Sequence, residues 1–250
     1  MLRVDSRVFI GGSFEPGTVS ALELGGAVSP VAHLELGVSS MRTGSIPAAA
    51  GNGLISVLMS PDAHYGDIPV YARYQFHESE VFAAAADLVL TLPSHTDFEL
   101  TLGVPMRVYE LFGFFTLDSS LSFTLRAGDA FSDRSSSPSN ISFDIAFEGA
   151  STYNLTDRGF LQIGGGLSLV NLNGGPGAKN VVELPFFLGG GYSYLSKKKA
   201  LLVDLFVQAG WLPLMYANRP QGIGAFNVGD TWFVTFGAQV YTTPLFGARR

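Results

Sequence analysis

The sequence predicts an all-β protein, a closed antiparallel up-and-down transmembrane β-barrel of about twelve strands occupying residues 1–250 as one domain. Three observations predict it. Segments of strand length alternate large apolar residues with small or polar ones along nearly the whole chain, the period-two pattern of a sheet with two unlike faces. Charged residues make up only 14% of the chain while hydrophobic residues reach 47%, with 20 Phe, 9 Tyr and 30 Gly; an ordinary globular domain carries about 25% charge. The connections between segments alternate between short and long.

Each strand is justified by its own alternation. Strand one, Arg3 to Phe14, sets Val8, Ile10 and Phe14 against Arg7, Phe9, Gly11 and Ser13, and Glu15-Pro16-Gly17 turns it. Strand two, Val19 to Val28, places Leu22, Leu24 and Val28 opposite Glu23, Gly25 and Ala27, with Ser29-Pro30-Val31 as its turn. Strand three, Ala32 to Arg42, sets Leu34, Leu36 and Val38 against His33, Glu35 and Gly37. An Ala/Gly/Pro-rich stretch from Thr43 to Asp67 then contains the apolar island Leu54 to Met59, which could fold back as a plug, extend a strand, meet a partner or pack on the rim.

Strand four is Ile68 to Phe76, and strand five Val81 to Pro93, whose Ala83 to Ala86 run gives way to clean alternation. Strand six runs from Glu99 to Tyr109, strand seven from Phe114 to Arg126, strand eight from Ile141 to Leu155 and strand nine from Phe160 to Val170. Three final strands lie between Val181 and Phe246, with Leu188, Tyr192, Tyr194, Leu205, Val207, Val234 and Phe236 on the apolar side. Connections after even strands are short: Ser29 to Val31, His77 to Glu80, Glu110 to Gly113, Thr156 to Arg158 and Ser196 to Lys199. Several after odd strands are long, including Thr43 to Asp67, Ala127 to Asn140, Asn171 to Asn180 and Tyr216 to Asp230.

Which solvent meets the apolar face decides between a soluble sandwich and a membrane barrel. A sandwich shows water a face rich in Lys and Glu. Here the other face is mostly Ser, Thr, Gly and Gln, and only 15 Lys plus Arg occur in the chain. Lipid outside requires every backbone group to pair within the sheet, so the sheet must close. Trp211, Tyr192, Tyr194 and Trp232 suit interfacial girdles. In this periodicity and loop asymmetry the chain resembles bacterial outer-membrane β-barrel proteins, as a porin-like small barrel. The resemblance implies location in the outer membrane, short periplasmic turns and longer external loops. Gly237, Val240, Tyr241 and Phe246 are similar to the class's aromatic-ended terminal strand, although Gly247 to Arg250 follow.

Other classes are excluded or disfavoured. No run of 18 apolar residues is present, against a helical span. The absence of cysteine removes disulfides and thiolate metal sites. A net charge of −6 argues against a nucleic-acid partner. Residues 1–7 lack the apolar core of a secretory leader, so if the protein is exported the expectation is a mature or engineered form.

With lipid outside, the interior receives acids at Glu23, Glu35, Asp87, Glu99, Asp118, Asp144, Glu148, Glu183 and Asp204, and bases at Arg7, Arg73, Arg107 and Arg126. The surplus of acid would favour cations in an open pore. The plainer expectation is a structural ladder in which Arg73 and Arg107 both pair with Asp87. A barrel-embedded hydrolase is the remote alternative: His33 shares a face with Glu35, but His64, His77 and His95 fall in loops or turns, so no catalytic, cofactor or metal residue is assigned. Gly174 to Lys179 lacks the ending of a phosphate loop. Two functions therefore stand: a narrow channel, or a docking subunit of a cell-envelope machine, the latter favoured by the lack of an aromatic ladder. The expected partners are outer-membrane lipid and proteins that meet the external loops or periplasmic turns.

Overall fold

The computed structural model describes residues 2–13, 18–38, 55–60, 64–93, 98–111, 115–127, 141–170, 172, 181–195, 201–218, 227–228 and 231–242. The strands are β1 (Leu2–Ser13), β2 (Thr18–Val31), β3 (Leu34–Val38), β4 (Ile55–Ser60), β5 (His64–Tyr65), β6 (Ile68–Glu78), β7 (Phe82–Leu92) and β8 (Phe98–Leu111). They continue with β9 (Phe115–Ala127), β10 (Ile141–Asn154), β11 (Gly159–Val170), β12 (Val181–Leu195), β13 (Leu201–Asn218), β14 (Asn227–Val228) and β15 (Thr231–Thr242). Each long strand pairs antiparallel with its sequence neighbours, and β1 pairs with both β2 and β15, so the sheet closes on itself. The seam is a full ladder, from Arg3 opposite Tyr241 to Ser13 opposite Thr231.

Three wall positions are composite, which reconciles 15 strand segments with a twelve-stranded barrel. β3 pairs with β2 up to Val38 opposite Gly26, and β4 resumes on the same side of β2 with Ile55 opposite Leu24. β6 flanks β3 and β5 flanks β4, so β5 and β6 form the next wall position. Likewise β14 pairs with β13 beyond the end of β15. Of the readings open for the apolar island, strand extension is the one that holds for Ile55 to Met59, which lies in β4. The preceding part of that loop, 43–54, lies outside the described residues.

The outward face is apolar and exposed: Leu102 is 54% accessible, Phe147 52%, Leu205 52% and Phe236 51%. An apolar band of this extent is stable only against lipid. Aromatic residues bound it. Tyr74, Phe76, Tyr153, Tyr192 and Tyr194 are exposed near the short-turn ends of their strands, while Trp211 stands opposite Trp232 toward the other end. From Val203, paired with Tyr194, to Trp211 is eight residues along β13, or ~20 Å along the barrel axis at ordinary strand rise and tilt.

Two local expectations are corrected. The turn between the second and third strands is Ala32-His33, not Ser29 to Val31: β2 runs through Pro30, which sits in a bulge between Val28 and Val31. A proline lacks the N–H that a regular ladder needs, and a bulge tolerates it. His33 is the turn residue, with φ of 65°, and is exposed rather than inward. Its carbonyl accepts a 2.8 Å hydrogen bond from Gln75 N.

Candidate functional site in the barrel interior

The inner faces of β1 through β10 carry the paired charges, and strand register decides who meets whom. Arg73 stands directly opposite Asp87 and binds it through two hydrogen bonds of 2.7 Å, Nε to Oδ1 and Nη2 to Oδ2. Arg107 stands opposite Asp118 and makes the same forked contact at 2.6 and 3.0 Å. Asp87 faces Gly103 on β8, not Arg107, so the expected ladder through a shared Asp87 is replaced by two separate pairs. Bidentate pairing of this kind fixes both side chains and satisfies charges that would otherwise be costly to bury.

Nearer the short-turn end, Arg3, only 4% exposed, donates from Nη2 to the Tyr71 hydroxyl at 2.7 Å and lies 3.5 Å from Glu35 Oε1. The Tyr71 hydroxyl in turn donates to Glu35 Oε1 at 2.7 Å. Tyr71 reaches this position because Gly37 beside it has no side chain: a Cβ there would stand 2.7 Å from the ring. The three residues come from β1, β3 and β6, so the network ties together strands on both sides of β2.

Toward the long-loop end, Arg126 meets more carboxylate than it can neutralise. Its Nε is 2.8 Å from Glu99 Oε1 and its Nη1 3.3 Å from Asp144 Oδ2, and Glu183 lies within electrostatic reach. Arg126 Nε nevertheless lacks an aligned hydrogen bond despite the short approach to Glu99. Attraction here is coulombic rather than forked. Ser142 donates to Asp144 Oδ1 at 3.1 Å.

The wall from β11 to β15 is built differently. Across it, Phe160, Gly191, Phe206 and Gly237 are successive register partners, and so are Gly164, Phe187, Gly210 and Phe233. Each ring sits beside a glycine. A Cβ at Gly191 would collide with the Phe160 ring, one at Gly164 with Phe187 and one at Gly237 with Phe206. The rings therefore lie flat over their neighbours' backbone. Between these two rows run Gln162, Gly189, Gln208 and Thr235; Gln208 crosses Gly189 and donates to Gln162 Oε1 at 2.7 Å, and Gln162 donates to Thr152 at 3.3 Å. Large residues alternating with glycine across strands let a narrow barrel accept aromatic side chains without overpacking.

Of the acids expected inside, Asp87, Asp118, Asp144 and Glu23 are buried. Glu148 leans on Gly166, while Glu183 and Asp204 lie on the β12 and β13 inner faces. Asp204 Oδ1 is buried without a hydrogen-bond partner. Sequence reasoning missed Arg3 as an inward cation and the inward Phe187 and Phe233, each 1% exposed. The available signal was glycine spacing: in β11 and β12, Gly164 and Gly191 make room for a neighbour's ring, and Gly166 and Gly189 for Glu148 and Gln208. These rings are packed into the wall, with Phe187 and Phe233 shielded from solvent. His77 packs 5.6 Å from the Phe82 ring at the short-turn end, His95 lies outside the described residues, and no group of three His, Asp or Glu able to hold a metal occurs among the described residues.

A closed twelve-stranded barrel with a lipid-facing apolar band, aromatic girdles and a polar interior defines the class: a transmembrane β-barrel of porin-like form. No family model matches the sequence, and no curated protein matches it either. In structure the chain is similar to the NanC porin, with a TM-score of 0.56 and 9% identity over 96% of this chain and 100% of that one. It is similar also to an outer-membrane channel from Pseudomonas putida F1, with a TM-score of 0.57 and 10% identity over 96% of this chain and 95% of that one. A KdgM porin in complex with disordered oligogalacturonate gives 0.52 and 12% over 96% and 99%. At these identities the likeness establishes the fold.

Proposed function

We propose that the chain is a narrow outer-membrane channel whose polar, net acidic interior passes cations in preference to anions, and that it works without catalysis. The observation that carries this reading is the commitment of the arginines. Arg3, Arg73, Arg107 and Arg126 each stand within ion-pair distance of a carboxylate. Paired charges cancel at a distance, so the field along the pore is set by the acids in excess. At the long-loop mouth one guanidinium is shared by Glu99 and Asp144, with Glu183 close by. The porin and channel descriptions of the structural neighbours support the class of activity. The test is planar-bilayer recording of the purified protein across a potassium chloride gradient. A reversal potential on the potassium side is expected; no conductance, or an anion preference, overturns the reading.

A further inference from the structure

Arg158 is placed unlike the arginines of the lumen. It closes the short turn between β10 and β11, is exposed, and makes no ion pair among the described residues, whereas Arg3, Arg73, Arg107 and Arg126 each face a carboxylate. Its Nη1 donates to the Tyr192 hydroxyl at 3.1 Å, and Tyr192 is exposed on the apolar outer face with Tyr194. The backbone beneath is pinned. Thr156 Oγ1 accepts from Arg158 N at 3.2 Å and from Gly159 N at 2.8 Å, and the Arg158 carbonyl accepts from Ser193 N at 2.7 Å. A guanidinium has five N–H donors in a planar fork, so one bond to a phenol leaves donors for a second acceptor. The aromatic girdle holds it at headgroup depth.

Charge along this rim is uneven. The connection from β12 to β13, 196–200, lies outside the described residues, but its sequence brings Lys197, Lys198 and Lys199, three of the chain's four lysines, to the same end of the barrel, and β12 adjoins β11. Two hairpins back, the β6–β7 turn carries exposed Glu78 and Glu80 instead. Within its own turn, exposed Asp157 offsets Arg158.

We propose that the outer surface of the β10–β11 turn is a docking site for an anionic phospholipid, with Arg158 binding its phosphate. Tyr192 positions the guanidinium, and Leu161, exposed two residues beyond Gly159 on β11, lies against the acyl chain. Two features set the occupant. The site is continuous with the lipid-facing band, so a lipid is its neighbour. The surplus of basic residues in this sector favours a headgroup of net negative charge over a zwitterionic one, and the planar fork of arginine matches a phosphate. The site is on the outside of the barrel and does not depend on conduction.

Because the chain has no cysteine, a bimane label can be placed singly at Leu155→Cys, in this turn, or at Val81→Cys, beside the acidic turn; both residues are exposed. The full chain is folded into phosphatidylcholine vesicles, with folding checked by heat-modifiable gel mobility. Quenching by added brominated phosphatidylglycerol, relative to brominated phosphatidylcholine, gives the local preference for anionic lipid. A preference of about fivefold is expected at Leu155→Cys, the contribution of one basic group near a membrane surface, and none at Val81→Cys. Arg158→Gln should bring the first value close to 1, Tyr192→Phe should lower it about twofold, and Asp157→Asn should raise it. A purely structural role for the turn would not move neighbouring substitutions in opposite directions. Equal preference at the two labels, or a preference that ignores Arg158→Gln, overturns the site. Loss of the preference when inorganic phosphate replaces chloride at constant ionic strength assigns Arg158 to a free anion and overturns the lipid. The comparison of the two labels leaves Arg158 in place, so it decides the matter even where Arg158→Gln fails to fold.

Discussion

Removing the Asp87 carboxylate is the sharpest test of the interior's pairing. Arg73 and Asp87 have side chains only 14% and 4% exposed and are joined by two hydrogen bonds of 2.7 Å. A hydrogen bond to a charged group contributes about 1.5–3 kcal/mol, and breaking a buried pair by removing one partner costs about 3–5 kcal/mol because the survivor stays charged and buried. Glu35 stands opposite Arg73 on the other side, so it takes up part of the abandoned charge. Asp87→Asn should therefore destabilise by ~3 kcal/mol, the low end of that range. The double variant Arg73→Met/Asp87→Leu removes both charges and should lie within ~1 kcal/mol of the parent, because a packed apolar pair often replaces a buried ion pair at little cost. Reversible urea unfolding from lipid vesicles measures both. The chain's two tryptophans, Trp211 and Trp232, face each other in the β13–β15 ladder and report closure by fluorescence. If Asp87→Asn falls within 1 kcal/mol of the parent, or if the double variant is as unstable as the single, the pair is not the buried unit described above.

Other substitutions probe the remaining features, and the same unfolding assay reads them. Gly164→Val places side-chain atoms where the Phe187 ring lies and should cost ~1–3 kcal/mol; Phe187→Ala in the same chain should recover part of that loss. Tyr71→Phe removes the hydroxyl that joins Arg3 to Glu35, with an expected loss of ~1–3 kcal/mol. Leu102→Arg on the lipid face of β8 should cost ~2–4 kcal/mol in a bilayer, whereas Leu102→Phe should be nearly neutral.

The barrel was legible because lipid and lumen impose opposite demands on alternate residues, and strands of 11 to 18 residues repeat that period several times each. Leu100, Leu102 and Val104 against Thr101 and Gly103 read one way only. What alternation does not carry is register. Whether Arg107 meets Asp87 or Asp118 depends on where the turn after β8 places the next strand, and the Ala32-His33 turn was obscured because Pro30 reads as a terminator when it in fact rides in a bulge. The aromatic wall was missed for a related reason. Phe187 and Phe233 fall on the inner face by period, beside Leu188 and Val234 on the outer one, but large rings there fit only because Gly164 and Gly210 stand beside them. The composite third wall position was open among the readings of the apolar island but not selected, because residues 39–54 separate two halves that periodicity treats as unrelated.

That composite position also separates two tasks that a transmembrane strand normally performs together. Val38 and Ile55 pair with Gly26 and Leu24, neighbours but one on β2, so the ladder passes from one half to the other whatever sequence joins them. Doubling the length of a connecting segment costs only ~0.6 kcal/mol in closure entropy. The wall is thus insulated from variation between those two residues, and a peptide tag or a cleavage site introduced there should be carried by a barrel that still assembles. At that wall position the continuity of the ladder does not depend on the continuity of the chain.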